Sequence, residues 1–153
     1  MNHSPRAQSF PQKITPLTSR NRTRTIRRSW RIANDLSASF RYAVQGIVYG
    51  FLSQRNFRIH VLIGTLVFSL GIYLKLNFNH LAVLVLTVTA VLVLELLNTA
   101  IEAVVDLAIG RRFHPLARIA KDSSAAAVLV ASISSVLIAV LLLLPPLLLH
   151  LGI

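Results

Sequence analysis

The segment LAVLVLTVTAVLVLELLNTAIEAVVDLAI, which covers residues 81–109, decides the fold of this chain. Its first half is apolar apart from two threonines, and its second half carries Glu95, Asn98, Glu102 and Asp106. A helix of this length, rising about 1.5 Å per residue, can cross a hydrocarbon core of about 30 Å. The segment therefore predicts a transmembrane helix with polar side chains toward its C-terminal end.

Two other stretches share this apolar character, and 54% of the 153 residues are hydrophobic. Their lengths predict three spans, at about residues 58–76, 81–109 and 123–146. The third is expected to end there because Pro145 and Pro146 should end or kink its helix. The predicted fold class is an all-α integral membrane bundle of three transmembrane helices with an amphipathic surface helix before them.

The N-terminal part divides into a tail and the start of the membrane domain. Residues 1–34 mix Pro, Ser, Thr, Asn and Arg without a hydrophobic period, which predicts a disordered, basic cytoplasmic tail ahead of a domain at 35–153. An organellar transit peptide has a similar composition. In residues 36–54 apolar side chains recur at three- and four-residue steps, as in a helix lying on a membrane surface. A helix packed against the end of the bundle would show the same face.

The net charge of +11 is concentrated at one end, with eight of the sixteen lysines and arginines in residues 1–31. A basic tail beside a membrane bundle favours anionic lipid headgroups as partners. No basic patch is interleaved with aromatic residues, so nucleic acid is not expected. With no cysteine, the chain can form no disulfide or thiolate metal site, and any metal must bind oxygen or imidazole.

The distribution of basic residues also predicts the topology. Residues 110–122 carry four basic residues and one acid, whereas the turn at residues 75–80 carries one lysine. The positive-inside rule therefore places the N-terminus and the 110–122 loop in the cytoplasm, and the turn and the C-terminus outside.

Four of the five acids fall between residues 95 and 122. At about 100° per residue, Glu102 and Asp106 lie within about 20° of Glu95 on one helix, with Asn98 about 60° to one side. A carboxylate at membrane depth costs roughly 2.5 to 3.5 kcal/mol, so such acids are usually functional. Carboxylates and an amide on one stripe can bind a hard divalent cation and take a proton from an alcohol.

Less specific interpretations remain open for the same residues. The acids could pair with Arg118 or Lys121 and only hold helices together, or form a proton relay in a non-catalytic bundle. Asp122 could cap the third helix, and His114 beside a proline could be a turn residue. A lysine at this interface suits a phosphate. The chain has no GxxxxGKS/T loop and no HRD or DFG signature, so bound ATP would need another kind of site.

Three strings carry a resemblance to a known family. ELLNTAIEAVVD at residues 95–106 is followed by HPLARIAKD at 114–122 and an alanine-rich helix, and NFRIH at 56–60 precedes the first span. At this spacing the chain closely resembles the prokaryotic diacylglycerol kinases, a family that includes undecaprenol kinases. The match covers roughly residues 38–140.

The resemblance implies an integral membrane kinase that uses Mg²⁺ and ATP to phosphorylate a lipid hydroxyl. It implies a homotrimer in the plasma (inner) membrane, whose active sites are shared between subunits and face the cytoplasm. The favoured substrate is 1,2-diacylglycerol, converted to phosphatidic acid. Undecaprenol is the alternative, toward which the NFRIH string leans.

The resemblance also implies roles for individual residues. Glu95 matches the catalytic base, Glu102 a metal-binding glutamate and Asn98 a polar neighbour in the site. A second metal-binding glutamate of the family is Gln54 here, whose amide oxygen is a weaker ligand, and an acid common in the loop is Arg112. Four positions match residues that contact ATP: Tyr42, His114, Lys121 and Asp122.

Overall fold

The computed structural model describes residues 36–110 and 112–153, and the predicted tail of residues 1–34 lies outside them. The described part contains helices and no strand, which confirms the predicted all-α class. In chain order the helices are α1 (Leu36–Ser53), α2 (Arg55–Tyr73), α3 (Phe78–Ile109) and α4 (Pro115–Leu151).

Helices α2, α3 and α4 are each long and apolar enough to cross a membrane, as the sequence predicted. Helix α3 has 32 residues and α4 has 37. At about 1.5 Å per residue these helices are about 48 and 55 Å long, well beyond a hydrocarbon core of about 30 Å. In a bilayer their ends therefore extend into the headgroup region.

Helix α3 packs along both α2 and α4, whereas α2 touches α4 much less. Leu84 on α3 is completely enclosed, and Val91 lies two turns further along the same face. Gly64 on α2 allows the closest approach, because a Cβ there would lie 2.5 Å from Cγ1 of Val88. This contact fixes how α2 is rotated against α3, and hence which α2 side chains face the polar part of α3.

The connection between α3 and α4 is shorter than predicted. We expected a loop over residues 110–122, but α4 begins at Pro115. A proline suits the first helical turn because its missing N–H needs no partner there. His114 caps the helix, since its Nδ1 accepts a hydrogen bond from the Leu116 N–H at 3.2 Å. The residues from Arg118 onward therefore have helical spacing.

Of the two predicted effects of Pro145 and Pro146, an end or a kink of the third helix, the end is wrong, because α4 continues to Leu151. Each proline removes one backbone N–H from the helix. In an apolar environment, however, an open backbone would leave more polar groups without partners than a helix that lacks two donors. The flanking leucines therefore stay helical on both sides of the pair.

The turn between α2 and α3 lies where the sequence predicted but is shorter than residues 75–80, because α3 begins at Phe78. Lys75 has a left-handed φ of 56° in the turn before α3, and Asn77 caps α3 by accepting a hydrogen bond from the His80 N–H at 2.9 Å. Helix α1 is largely exposed, and its one buried residue is Gly50, where a Cβ would lie 2.8 Å from Leu96 on α3. The predicted amphipathic helix is thus confirmed as a helix, and its position on the membrane stays a prediction.

Candidate functional site

The predicted polar stripe lies along the C-terminal half of α3. Glu95 is buried, with 3% of its surface exposed, whereas Asn98 and Glu102 are half-buried. Asp106 at the end of the stripe is exposed. The stripe therefore runs from an enclosed carboxylate to an open one.

Asn98 and Glu102 are joined to α4 through a serine. The Asn98 amide donates from Nδ2 to Glu102 Oε1 at 3.0 Å. Ser124 on α4 donates from its hydroxyl toward Asn98 Oδ1 at 2.6 Å, and the same hydroxyl lies 2.9 Å from the carbonyl of Lys121. The amide is held on both sides, so the Glu102 carboxylate has a defined orientation.

Glu95 faces α2 rather than α4. His60 Nε2 lies 3.3 Å from Glu95 Oε1, and the two side chains are 24% and 4% exposed. The atoms are close enough for electrostatic pairing but are not aligned as a hydrogen bond, and Oε1 has no hydrogen-bond donor in the described structure. An enclosed carboxylate oxygen without a donor is costly, and such groups are common where a protein does chemistry.

The two glutamates of the stripe are too far apart for one task. Seven residues along a helix correspond to about 10 Å, so Glu95 and Glu102 on one chain cannot hold the same ion. Glu102 is linked to Asn98, which also contacts Ser124, whereas Glu95 contacts His60. The arrangement fits a proton acceptor at the buried level and an oriented oxygen ligand nearer the end of the helix.

A cleft of about 250 Å³ opens where α3 meets the start of α4. It collects three of the four predicted ATP-contacting residues, His114, Lys121 and Asp122, together with two arginines. These arginines are Arg112 and Arg118. Cationic side chains around a cleft beside a helix start suit an anionic phosphate chain.

Two cationic side chains of this cleft, Arg118 and Lys121, are already in ion pairs. Lys121 Nζ lies 2.5 Å from Asp106 Oδ1, and Arg118 Nε lies 3.3 Å from Asp122 Oδ2, with both pairs reached by solvent. Asp106 thus pairs with Lys121, one of the two partners that the sequence suggested for the acids. Exposed pairs contribute about 0 to 1 kcal/mol, so a triphosphate could displace either acid at little cost.

The remaining predicted residues lie on or next to α1. Tyr42 is exposed on α1, and Gln54 is half-buried at the N-cap of α2 without a side-chain capping bond. The hydrogen bond of Glu102 is to Asn98 and not to Gln54. The contacts of Tyr42 with ATP and of Gln54 with a metal therefore stay predictions.

The described residues hold no group of three His, Cys, Asp or Glu side chains that could enclose a metal ion. Mg²⁺ is usually bound through one or two carboxylates, with substrate phosphates and waters completing its shell. A single oriented carboxylate beside a basic cleft fits that pattern. The donor set on α3 is thus compatible with Mg²⁺ that arrives with ATP.

A sequence profile described as prokaryotic diacylglycerol kinase matches residues 41–143, which include α2, α3 and most of α4. The chain belongs to the prokaryotic diacylglycerol kinase family. It is therefore a membrane lipid kinase that transfers a phosphoryl group from ATP, with a nucleotide and a lipid as substrates. This membership argues against the non-catalytic proton relay.

Individual relatives agree with the family. The chain is 47% identical over 136 residues to the diacylglycerol kinase of Synechocystis sp., covering 88% of this chain and 78% of that one. It is 39% identical over 97 residues to the undecaprenol kinase of Bacillus subtilis, covering 63% and 78%. It is 34% identical over 89 residues to the diacylglycerol kinase of Escherichia coli, covering 58% and 72%.

Sequence reasoning missed two residues that the lipid kinase brings into its polar network. His60 is the last residue of the NFRIH string, and Ser124 lies two residues after Asp122, but neither was predicted to belong to the site. Both reach the stripe from another helix, and no spacing along the chain pairs residue 60 with 95 or 124 with 98. The signal available for His60 was an imidazole in an otherwise apolar span, a position that often marks function.

Proposed function

We propose that this kinase phosphorylates 1,2-diacylglycerol to phosphatidic acid at the cytoplasmic face of the inner membrane. The observation that carries the proposal is the buried Glu95 carboxylate, which lies on the same face of α3 as the oriented Glu102. This polar face ends beside the basic cleft. A lipid hydroxyl needs an acceptor within the membrane, and ATP needs cations and oxygen ligands near the water. In this proposal Glu95 is the acceptor within the membrane, and Glu102 and the basic cleft serve ATP nearer the water.

The length of α3 supports a position of Glu95 inside the membrane, near its surface. About 20 helical residues cross the hydrocarbon core, so a crossing that starts near His80 ends near residue 100. Glu95 would then lie within about 8 Å of the hydrocarbon boundary, and Glu102 and Asp106 beyond it. The hydroxyl of a diacylglycerol, at the top of its acyl chains, reaches this level without leaving the membrane.

In the proposed reaction Glu95 accepts the proton of the lipid hydroxyl as its oxygen bonds to the γ-phosphorus of ATP. The bond from that phosphorus to the β,γ-bridging oxygen breaks, and ADP leaves with the electron pair. Phosphoryl transfer depends mainly on positioning and on neutralising charge. When bound, Mg²⁺ supplies charge neutralisation on the phosphates, and Glu102 would hold it together with Gln54.

The residues of the cleft would hold the nucleotide. Lys121 can leave Asp106 for a phosphate oxygen, since an ammonium group binds phosphate as a point charge and the present pair is exposed. Arg118 and His114 line the same cleft. In this proposal Asn98 keeps Glu102 directed at the phosphates, and Tyr42 and Asp122 contact the nucleotide.

We further propose that the enzyme is a homotrimer with sites shared between subunits. One chain supplies a single oriented carboxylate, whose hydrogen bond is to Asn98, and the Gln54 side chain makes no capping bond at the start of α2. Large apolar side chains on α1, α3 and α4 are exposed, including Ile47, Leu97 and Val104. Neighbouring subunits would cover part of this surface, and the basic residues 1–31 would contact anionic headgroups.

Undecaprenol is the second candidate substrate. It is favoured by the 39% identity to a protein named undecaprenol kinase, whereas the higher identity, 47%, is to one named diacylglycerol kinase. Both lipids present a primary hydroxyl at the top of a long apolar tail. The chemistry at Glu95 would be the same for either.

The test is to assay the purified full-length protein in bilayers with radiolabelled ATP, Mg²⁺ and either dioleoylglycerol or undecaprenol. We expect labelled phosphatidic acid, with a higher kcat/KM for diacylglycerol. A higher kcat/KM for undecaprenol would assign the second candidate. Labelling of neither lipid would contradict the proposed function.

A further inference from the structure

His60 is the one described side chain that reaches Glu95 from another helix through a polar atom. Its Nε2 lies 3.3 Å from Glu95 Oε1, which is otherwise enclosed without a hydrogen-bond donor. Phe57, one turn earlier on α2, is buried, and Gly64, one turn later, sits directly against Val88. The imidazole is therefore on the packed face of α2, and the fit of α2 against α3 sets its position.

The same imidazole also lines an apolar cavity. This cavity has a volume of about 420 Å³ and lies between α2, α3 and α4, with Val67, Val91, Val136 and Leu143 in its wall. Glu95 is not part of the wall, whereas His60 is. His60 thus separates an enclosed carboxylate from a space that could take a hydrocarbon chain.

We propose that His60 is a positioning residue for phosphoryl transfer: its Nε2–H holds Glu95 Oε1, so that the second carboxylate oxygen is directed at the lipid hydroxyl. This inference rests on the proposed role of Glu95 as proton acceptor. It adds a residue outside the predicted site, and His60 itself touches neither ATP nor metal in this scheme.

The geometry of the pair suits this role. At 3.3 Å the contact is long for a charge-assisted hydrogen bond, which is about 2.7 to 2.9 Å when formed. Catalytic hydrogen bonds are often long or poorly aligned without substrate and shorten in the reacting complex. Substrate beside the imidazole would exclude water from it and favour the aligned bond. A hydrogen bond to Oε1 fixes the rotation of the carboxylate. A fixed rotation is needed because the proton is transferred over a single hydrogen-bond length.

The test compares His60→Phe, which removes the donor, with His60→Gln, whose Nε2 can still donate. Turnover is measured with the full-length protein in bilayers, with Mg·ATP and whichever of dioleoylglycerol and undecaprenol the wild-type protein phosphorylates with the higher kcat/KM. In His60→Phe we expect kcat to fall roughly ten- to a hundredfold while the lipid KM changes little, as the loss of a charged hydrogen bond made in the transition state predicts. His60→Gln should recover a large part of kcat.

The matched control is His150→Phe, which removes the bond of that histidine to the Tyr73 hydroxyl at 3.2 Å near the end of α4. It should leave kcat near the wild-type value. A His60→Phe protein that also keeps its kcat, or equal losses in the Phe and Gln variants, would overturn the proposal. Wild-type protein that phosphorylates neither lipid would instead contradict the proposed function.

A second measurement does not depend on turnover. In a double-mutant cycle, His60→Phe should lower the melting temperature more in the wild-type protein than in the Glu95→Leu protein, because the contact is already gone in the latter. Equal decreases in the two backgrounds would show that the two side chains are not coupled, and would overturn the pairing on which the proposal rests.

Discussion

Asn98 donates a hydrogen bond from Nδ2 to Glu102 Oε1, one helical turn away on α3. The amide is in turn held by Ser124, which approaches from α4. Because an amide that donates on one side must accept on the other, Ser124 determines which way Asn98 is turned. The orientation of the proposed metal-binding carboxylate is therefore set by a neighbouring helix.

Ser124→Ala should weaken nucleotide binding. Losing this hydroxyl leaves Asn98 Oδ1 without its α4 donor and costs about 1 kcal/mol of stability. With the amide free to rotate, we expect the KM for Mg·ATP to rise several-fold. The control is Ser134→Ala, since that exposed serine bonds only the carbonyl of Val130 on its own helix. An unchanged KM in Ser124→Ala would show that Glu102 does not depend on this network.

Glu95→Gln should abolish phosphoryl transfer while the protein keeps its oligomeric state. The amide has the same shape, so packing against α2 is preserved, but it cannot accept the alcohol proton. Loss of a general base costs roughly 10² to 10⁴ in rate. Turnover in bilayers and size-exclusion chromatography in detergent measure the two properties. Near-normal turnover with an intact oligomer would mean that Glu95 has a structural role.

Gln54→Glu should lower the Mg²⁺ concentration needed for half-maximal activity. A charged oxygen is a better ligand for Mg²⁺ than an amide oxygen, and ATP already supplies phosphate ligands. Glu102→Gln should have the opposite effect or remove activity. A Mg²⁺ titration at fixed ATP measures both. If the titration of Gln54→Glu matches that of the wild type, Gln54 only ends α1 and does not meet the metal.

Lys121→Gln should raise the KM for ATP with little change in stability. The ammonium is proposed to bind a phosphate, whereas its present pair with Asp106 is exposed and contributes about 0 to 1 kcal/mol. The matched variant Asp106→Asn removes the same pair and leaves the lysine available. We expect ATP affinity to fall in Lys121→Gln alone. Equal effects of the two variants would mean that the ion pair, and not a phosphate contact, is what matters.

The α3 to α4 connection should face the cytoplasm and the α2 to α3 turn the opposite side. The chain has no cysteine, so single cysteines can be placed at Phe113 and Asn79, both of which are exposed. An impermeant maleimide added to intact cells should label the cysteine at 79, and the one at 113 only after permeabilisation. The reverse result would place the cleft away from cellular ATP.

Features that depend on one helix could be predicted from the sequence, whereas contacts between helices could not. The helical spacing of Glu95, Glu102 and Asp106 could be predicted, because their positions on one face follow from the 3.6-residue turn alone. The cluster of His114, Lys121 and Asp122 could also be placed near one membrane face. The start of α4 was missed by eight residues because the basic residues after Pro115 look like a loop, whereas the histidine cap and the proline begin a helix.

By itself the sequence determined that this is a three-span α-helical membrane protein, and which residues share the polar face of α3. These are properties of single helices, set by length, apolar composition and period. Only the tertiary structure decided that His60 meets Glu95, that Ser124 holds Asn98 and that Lys121 pairs with Asp106. Each contact joins two helices, and the rotation of one helix against another depends on packing such as Gly64 against Val88. That packing is a property of two surfaces, which the period of either helix alone does not specify.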